Sequence, residues 1–197
     1  MNVDAMEKWV WNTLQSGLSN SYTYHNVKHI TSVVNDLQYF VDYYELSRYN
    51  HNLLKTAALF HDIAFVKSHV NHEAESAMIA EEQLPKYGFG KDEIESVKNM
   101  ILATKLPQSP NTFLEEILCD ADLFYLGGKE YFEIAIGLKQ EWNNIGFLKG
   151  DELQWIDAQL SFLKTHRYHT EFARTKLEPG KKKVIKKLQV QRNNLIN

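Results

Sequence analysis

The chain has 197 residues, 44% of them hydrophobic and 24% charged, a composition typical of one globular domain of ordinary size. Its formal net charge of −3 gives no basic footprint for nucleic acid, and its single cysteine excludes an internal disulfide. No apolar run approaches the ~18 residues of a membrane span, and only 9 glycines and 4 prolines interrupt the chain, which favours long helices.

Apolar residues spaced three and four apart predict a series of amphipathic helices. These are expected over residues 6–18, from 26 onward, over 50–60 and 71–84, from 91 onward, and over 113–125, 131–142, 151–163 and 181–195. A break is expected at 178–180, which contains proline and glycine. Because strand-like alternation and internal repeats are not found in the sequence, we predict an all-α fold of about eight to ten helices in one domain.

The N-terminal residues carry Asp4 and Glu7 and lack the basic flank and apolar segment of a secretory signal. Cys119 lies in an apolar run and is expected to be a buried small hydrophobe rather than a nucleophile. These features favour a cytoplasmic protein without membrane or nucleic-acid partners, and they leave its oligomeric state open.

The first chemically notable segment is Tyr24-His25-Asn26-Val27-Lys28-His29, at the start of the second helix. On a helix, His25 and His29 would share one face, about 6 Å apart along the axis. The apolar stripe that includes Val27 and Ile30 puts His29 at its border and His25 further out. Histidines at such a border are often ordinary surface residues, so this segment alone does not establish a site.

The helix over 50–60 runs directly into the dyad His61-Asp62. His61 lies four residues after Ala57 and Asp62 four residues after Ala58, so both continue the buried face. A buried carboxylate without a partner costs several kcal/mol. Either a metal ion or a buried His–Asp hydrogen bond or ion pair must compensate it, and the dyad alone does not decide between them.

Further polar residues follow the dyad along the chain. Loop or helix-capping chemistry is the ordinary explanation for three of them: His69, His72 and Glu73. In the segment Asp120-Ala121-Asp122, Asp122 lies four residues after Leu118 and is expected to point inward or to a cleft edge. Asp120 is expected on another side, toward solvent or in a helix hydrogen bond.

Together these segments predict a metal site. Two helices present buried carboxylates and a third presents histidines, and such a mixed N/O set suits a divalent ion: Mn, Fe, Co, Ni, Zn or Mg. Open positions on the ion would take water and substrate, and metal-bound water is acidic enough to react near neutral pH. His25, one turn from His29, would be close enough to protonate a leaving oxygen.

The order His…His-Asp…Asp resembles the HD superfamily of metal-dependent phosphohydrolases, which is all-helical. Tyr24-His25-Asn26-x-x-His29 is similar to the motif of cyclic-nucleotide phosphodiesterases in that superfamily, where the first histidine donates a proton and the second binds metal. The resemblance implies that His25 is the proton donor. It implies four metal ligands: His29, His61, Asp62 and Asp122. Asp122 is preferred over Asp120 because it occupies the Ala-Asp-Leu element that the family uses.

Other segments resemble one bacterial branch of predicted HD phosphohydrolases and extend the resemblance over most of the chain. They occur in the order of that branch: Glu73-x-x-Ser76-Ala77, 101–105, 120–123, Leu126-Gly127, Tyr131 with Glu141, Phe162-Leu163 and 172–174. The resemblance implies a single HD-type helical bundle over 1–197, with its core at roughly 20–128.

Two departures from the family pattern refine the expected chemistry. Phe65 stands where some members carry a glutamate three residues after the dyad aspartate, which argues against a 5′-nucleotidase assignment by analogy. Binuclear members recruit later histidines; His69 and His72 are available, but residues 102–105 replace the later His-His element. The resemblance therefore implies one tightly held ion, with room for a second.

The leading functional prediction is metal-dependent hydrolysis of a phosphate ester of a nucleotide or a related small phosphorylated metabolite by metal-activated water. Weaker predictions give substrate or supporting roles to other side chains, including lysines that would balance phosphate charge: Lys28, Lys67, Lys105, His72 and Glu73. Two alternatives remain open. One is a sensor module that binds metal and nucleotide without turnover, and the other is a two-iron oxidative enzyme for which His72 would be an added ligand.

Overall fold

Ten α-helices and no strand occur in the part of the chain that the computed structural model describes, residues 1–147 and 150–196. The helices are α1 (Val3–Gly17), α2 (Val27–Tyr43), α3 (Arg48–Phe60), α4 (His72–Gln83), α5 (Lys91–Ala103), α6 (Phe113–Asp122), α7 (Tyr131–Asn144), α8 (Glu152–Thr165), α9 (Glu171–Lys176) and α10 (Glu178–Ile196). Short 3-10 helices cover Ile63–Val66, Leu84–Tyr87 and Phe124–Gly127. The all-α prediction is confirmed. No helix in the described ranges combines the length and apolarity needed to cross a bilayer.

The chain forms two compact units. The first consists of Met1–Asn20 and His25–Asp122 and contains helices α1 to α6. The second consists of Ser21–Tyr24 and Leu123–Asn197 and contains helices α7 to α10. One HD-type domain with a core at roughly 20–128 stays a prediction.

Helix α3 runs through the interior of the first unit. The side chain of Ser47 accepts a hydrogen bond of 3.2 Å from the N–H of Asn50 and so fixes where the helix begins. Every residue of 56–60 is buried, and α3 contacts α1, α2, α4, α5 and α6. The helix therefore carries His61 and Asp62 into the interior, and both are buried as the spacing predicts.

Helix α2 begins later than the histidine motif, which corrects the expected placement of His25. The side chain of Asn26 accepts hydrogen bonds from the N–H groups of Lys28 (2.8 Å) and His29 (3.2 Å), so Asn26 is the N-cap. His25 thus precedes the helix, and the prediction that His25 and His29 share one helical face is wrong. The buried residues of α2 are His29, Ile30, Val33, Leu37 and Phe40. Because α2 packs against both α3 and α6, His29 lies inside this face rather than at its border.

Helix α6 is buried on nearly every side, which rules out the first of the two expected positions for Asp120, toward solvent, and leaves the second untested. Asp120, which was expected to face solvent or form a helix hydrogen bond, is fully buried, as are its neighbours from Ile117 to Ala121. The reason is that α6 packs against α2, α3 and α5 at once. Cys119 is buried as predicted, and burial raises the pKa of its thiol, which fits a structural role.

In the second unit, helix α10 begins at Glu178, so the break predicted at 178–180 is wrong. Pro179 falls in the first turn, where its missing N–H leaves no helical hydrogen bond unmade. Gly180 lies against the backbone of Gly127. The two residues that suggested a break therefore have other roles. Pro179 lies in the first turn of α10, and Gly180 allows two backbones to approach closely.

A substitution at Gly180 tests this contact. A Cβ added there would collide with the carbonyl oxygen of Gly127 and lie 2.9 Å from its carbonyl carbon, and backbone atoms yield little. We expect Gly180→Ala to lower the free energy of unfolding by about 1–3 kcal/mol, measured by urea denaturation. Gly90→Ala is the control, because its Cβ would meet only the Glu93 carboxylate at 3.5 Å. Equal stability losses in the two variants would contradict the close contact.

Candidate metal centre

The ends of three helices bring the predicted ligands together within the first unit. His29 lies in the first turn of α2, directly after the Asn26 cap. His61 and Asp62 follow the last residue of α3, and Asp122 is the last residue of α6. Because α2, α3 and α6 pack against one another, these three helix ends can bring the four residues together.

Two nitrogen and two oxygen atoms converge at this point. Nε2 of His29 lies 3.2 Å from Nε2 of His61, 3.2 Å from Oδ1 of Asp122 and 3.4 Å from Oδ2 of Asp62. Nε2 of His61 lies 3.2 Å from Oδ2 of Asp62 and 3.5 Å from Oδ1 of Asp122. The side chain of Asp62 is only 5% exposed, whereas that of Asp122 is 16% exposed, so the cluster is most accessible beside Asp122.

This geometry fits a divalent ion. Nδ1 of His61 lies 2.7 Å from the carbonyl oxygen of Ala58, so Nδ1 donates its proton there, and the neutral imidazole would offer the lone pair of Nε2 to an ion. Ligand atoms about 2.1 Å from an ion lie about 3.0 Å apart at right angles and about 3.4 Å apart in a tetrahedron. Ligand atoms of His29, His61 and Asp122 all lie within 4.8 Å of one another, and Asp62 contacts both imidazoles. The set of donors suits metals that accept mixed nitrogen and oxygen ligands.

The imidazoles and carboxylates of the cluster shift one another's pKa values in opposite directions. Burial alone would lower the pKa of both imidazoles, but hydrogen bonds and charge from Asp62 and Asp122 outweigh it and raise the pKa of His29 and His61. Burial would raise the pKa of each carboxyl group, but the two histidines lower the pKa of Asp62 and Asp122. Protons on the imidazoles therefore balance the carboxylates when metal is absent. The sequence allowed two explanations for the buried carboxylate, an ion pair and a metal site, and both involve the same four residues.

Stabilisation by metal is expected to grow as the pH rises. A histidine whose pKa is raised on folding stabilises the protein fully below its ordinary value of 6.5, and this contribution is lost as the pH rises through the raised pKa. The carboxylates, whose pKa values are lowered from 3.8, stay ionised near neutral pH and add no dependence there. The increase in melting temperature when Mn²⁺ is added to chelator-treated protein should be larger at about pH 8 than at about pH 6. An increase in melting temperature that becomes smaller as the pH rises would contradict this charge balance between imidazoles and carboxylates.

His25 and His72 lie beside the cluster. The ring centroids of His25 and His29 are 6.0 Å apart. Nε2 of His72 lies 3.4 Å from Oδ1 of Asp62 and 3.5 Å from Oε1 of Glu73. Asp62 therefore faces two groups at once, with Oδ2 toward His29 and His61 and Oδ1 toward His72.

The remaining candidates lie outside the converging group. Three lysines are exposed, and their substrate roles stay predictions: Lys28, Lys67 and Lys105. The carbonyl oxygen of His69 lies 3.3 Å from Nδ1 of His72, so the described contact of His69 is made by its backbone. Asp120 and Asp62 both fall outside the group of three residues whose ligand atoms all lie within 4.8 Å of one another, but Asp62 contacts both imidazoles.

Three residues that shape the centre were missed by the sequence interpretation. Asn26 caps α2, and an asparagine before an apolar helical stripe is a recognised signal for such a cap. Ala58 orients His61 through its carbonyl, which no side-chain pattern could indicate. Phe65 stacks on His25, although the sequence marked it only as a departure from the family pattern.

The two aspartates at the end of α6 give a direct test of the ligand set. We expect Asp122→Asn to leave the purified protein with far less than one metal ion and without activity, because the amide is neutral and a weaker ligand. Asp120→Asn should retain the ion and activity, although burial of Asp120 makes some loss of stability expected. Metal content is measured by elemental analysis of both variants. Loss of the ion in Asp120→Asn alone would reverse the assignment.

Comparison with known proteins agrees with this geometry. The sequence profile described as HD domain matches residues 26–125, which are 100 of the 197 residues and include all four converging side chains. No curated protein sequence matches the chain.

Two solved structures are similar to this chain. One is Bacillus subtilis YpgQ in complex with ADP, at a TM-score of 0.66 and 19% identity, covering 98% of this chain and 97% of that one. Another is a predicted HD superfamily hydrolase from an uncultured Thermotogales bacterium, at a TM-score of 0.54 and 19% identity, covering 80% of this chain and 91% of that one. At this identity the structural similarity concerns the fold, while the profile match covers half of the sequence. The chain therefore belongs to the HD domain family.

Proposed function

We propose that this chain is a hydrolase that cleaves a phosphate ester of a nucleotide or a related small phosphorylated metabolite, with a divalent ion held by His29, His61, Asp62 and Asp122. The observation that carries the proposal is the convergence of their four ligand atoms, with the His25 ring 6.0 Å from that of His29. Membership of the HD domain family supports a hydrolase. The ADP complex of the structurally similar YpgQ supports a nucleotide as the class of substrate.

The reaction adds water across a phosphorus–oxygen bond, so the phosphoryl group gains a hydroxyl and the leaving oxygen gains a proton. A divalent ion bound here would polarise the phosphoryl group and lower the pKa of a bound water. His61 is held in its orientation by the Ala58 carbonyl. His25, outside the ligand cluster and before α2, is proposed to supply the proton to the leaving oxygen.

The proposal includes one tightly bound ion and a second, weaker site beside it. His72, Glu73 and Oδ1 of Asp62 provide one nitrogen and two carboxylates, with His72 3.4 Å and 3.5 Å from the two acidic partners. The His72 side chain is 23% exposed, which favours an exchangeable ion there. Lys28 and Lys105 are proposed to balance the charge of the phosphate from the exposed surface.

Elemental analysis of the purified protein, followed by a phosphoester screen with the metal it contains, tests the proposal. The expected result is one equivalent of a divalent metal and turnover of at least one nucleotide or small phosphoester that a chelator abolishes. Nucleotide binding without turnover would replace the hydrolase with a sensor module. Two equivalents of iron with an absorption band on exposure to oxygen would instead indicate an oxidative enzyme.

A further inference from the structure

Phe65 joins the ligand dyad to two histidines outside the cluster. The rings of Phe65 and His25 stack with centroids 4.2 Å apart and planes 13° from parallel. The ring of Phe65 also meets that of His72 at 4.7 Å and 54°, and the centroids of His25 and His72 are 5.9 Å apart. The three rings therefore form a compact triangle, with the phenylalanine in contact with both imidazoles.

Phe65 is itself held firmly. It is buried, at 3% exposure, in the 3-10 helix Ile63–Val66 that follows Asp62. Its N–H donates to the carbonyl oxygen of Asp62 at 3.1 Å, and the N–H of Ala64 donates to the hydroxyl of Ser76 on α4 at 3.1 Å. The position of the phenyl ring is thus tied to the backbone of a proposed metal ligand on one side and to a packed helix on the other.

We propose that Phe65 is the positioning residue for His25, an inference that rests on the proton-donor role given to His25 above. His25 precedes the N-cap of α2, outside the regular turns of the helix, and its ring stacks directly on that of Phe65. A nearly parallel ring at 4.2 Å restricts rotation of the imidazole, because turning it would drive its edge into the phenyl face. Since Phe65 has no polar atom, this contact fixes the ring without engaging either imidazole nitrogen.

The position of a proton donor matters for rate. A displacement of about 1 Å in a catalytic group can reduce the rate about 100-fold, even where the residue changed is not in contact with the substrate. Loss of the stacked ring should therefore reduce the steps that need a proton from His25 and spare metal binding. That combination distinguishes a positioning role from general support of the fold.

The kinetic test compares Phe65→Leu, which removes the flat ring but keeps buried apolar volume, with Phe65→Tyr, which keeps the ring. We expect Phe65→Leu to retain its metal and to lose about 10- to 100-fold in kcat for an alkyl phosphoester, with a smaller loss for a nitrophenyl ester. Phe65→Tyr should keep most of the rate. Phe40→Leu removes a buried phenylalanine of α2 outside this triangle and is the matched control for lost volume. Equal losses for the two esters, or a Phe40→Leu variant with the same pattern, would overturn the proposal.

A second measurement does not depend on activity. In NMR spectra the ring protons of His25, assigned by their loss in His25→Ala, should be shifted upfield by the stacked phenyl ring in the wild type and in Phe65→Tyr but not in Phe65→Leu. If the wild type hydrolyses no phosphoester, the proposed function fails, while this shift still tests the positioning. If Phe65→Leu does not fold, the wild type decides: His25 ring protons without an upfield shift would overturn the inference.

Discussion

Asp62→Ala is expected to empty the metal centre and abolish metal-dependent hydrolysis. Asp62 is the proposed ligand with contacts on both sides, through Oδ2 to His29 and His61 and through Oδ1 to His72. Removing it takes away a carboxylate whose lowered pKa keeps it charged, and it leaves two imidazoles that attract protons less strongly and hold a cation poorly. We expect elemental analysis to find less than about a tenth of an equivalent of metal in this variant.

The same variant should lose stabilisation by metal. An ion present at about 100 times its Kd adds about 2.7 kcal/mol to the free energy of unfolding, and this increment should disappear in Asp62→Ala. Melting curves with added Mn²⁺ and with chelator measure it. Asp92→Ala, which removes an exposed carboxylate from the first turn of α5, is the control and should keep the full increment. A stoichiometric ion in purified Asp62→Ala would refute the ligand set.

A structural ion pair without metal gives a different pattern. In that case Asp62→Ala would be destabilised equally with and without metal, because a buried partner of His61 is lost whichever ions are present. The wild type would then show no increase in melting temperature on adding a divalent ion. The two melting curves of the wild type thus separate the two explanations before any variant is made.

The helices were largely predictable from sequence because most are long and amphipathic. The face of α3 that ends in His61 and Asp62 follows from the spacing of Ala57 and Ala58, and the structure has it buried. Helix α9 could not be predicted in this way, because Glu171–Lys176 is too short to show a period. It is specified by the hydroxyl of Thr170, which accepts from the N–H of Ala173 at 3.2 Å, a local signal without a long pattern.

Site geometry was less predictable than site identity. Sequence spacing put Asp122 on an inner face, but it gave no distance between Asp122 and His29, which are 93 residues apart in the chain (122 − 29). That distance depends on how α2, α3 and α6 pack together. The burial of Asp120 was missed for the same reason, since a single helix pattern cannot indicate that neighbours cover several sides.

His25→Ala is expected to keep the ion and lose rate. His25 lies outside the group of converging ligand atoms, so metal content should stay near that of the wild type. If His25 supplies the proton to the leaving oxygen, kcat for an alkyl phosphoester should fall by about 10²–10⁴-fold. His29→Ala, by contrast, should lower metal content and rate together, because Nε2 of His29 contacts the other three proposed ligand atoms.

A comparison of two leaving groups tests whether His25 acts as an acid. A nitrophenolate departs without protonation, so the loss of rate in His25→Ala should shrink for a nitrophenyl ester relative to the alkyl ester. His51→Ala, which changes a partly exposed histidine on α3 away from the cluster, should alter neither rate nor metal content. If His25→Ala instead empties the site of metal, His25 is a ligand. If it slows both esters equally, the step that His25 assists is not protonation of the leaving group, and the proton-donor role must be abandoned.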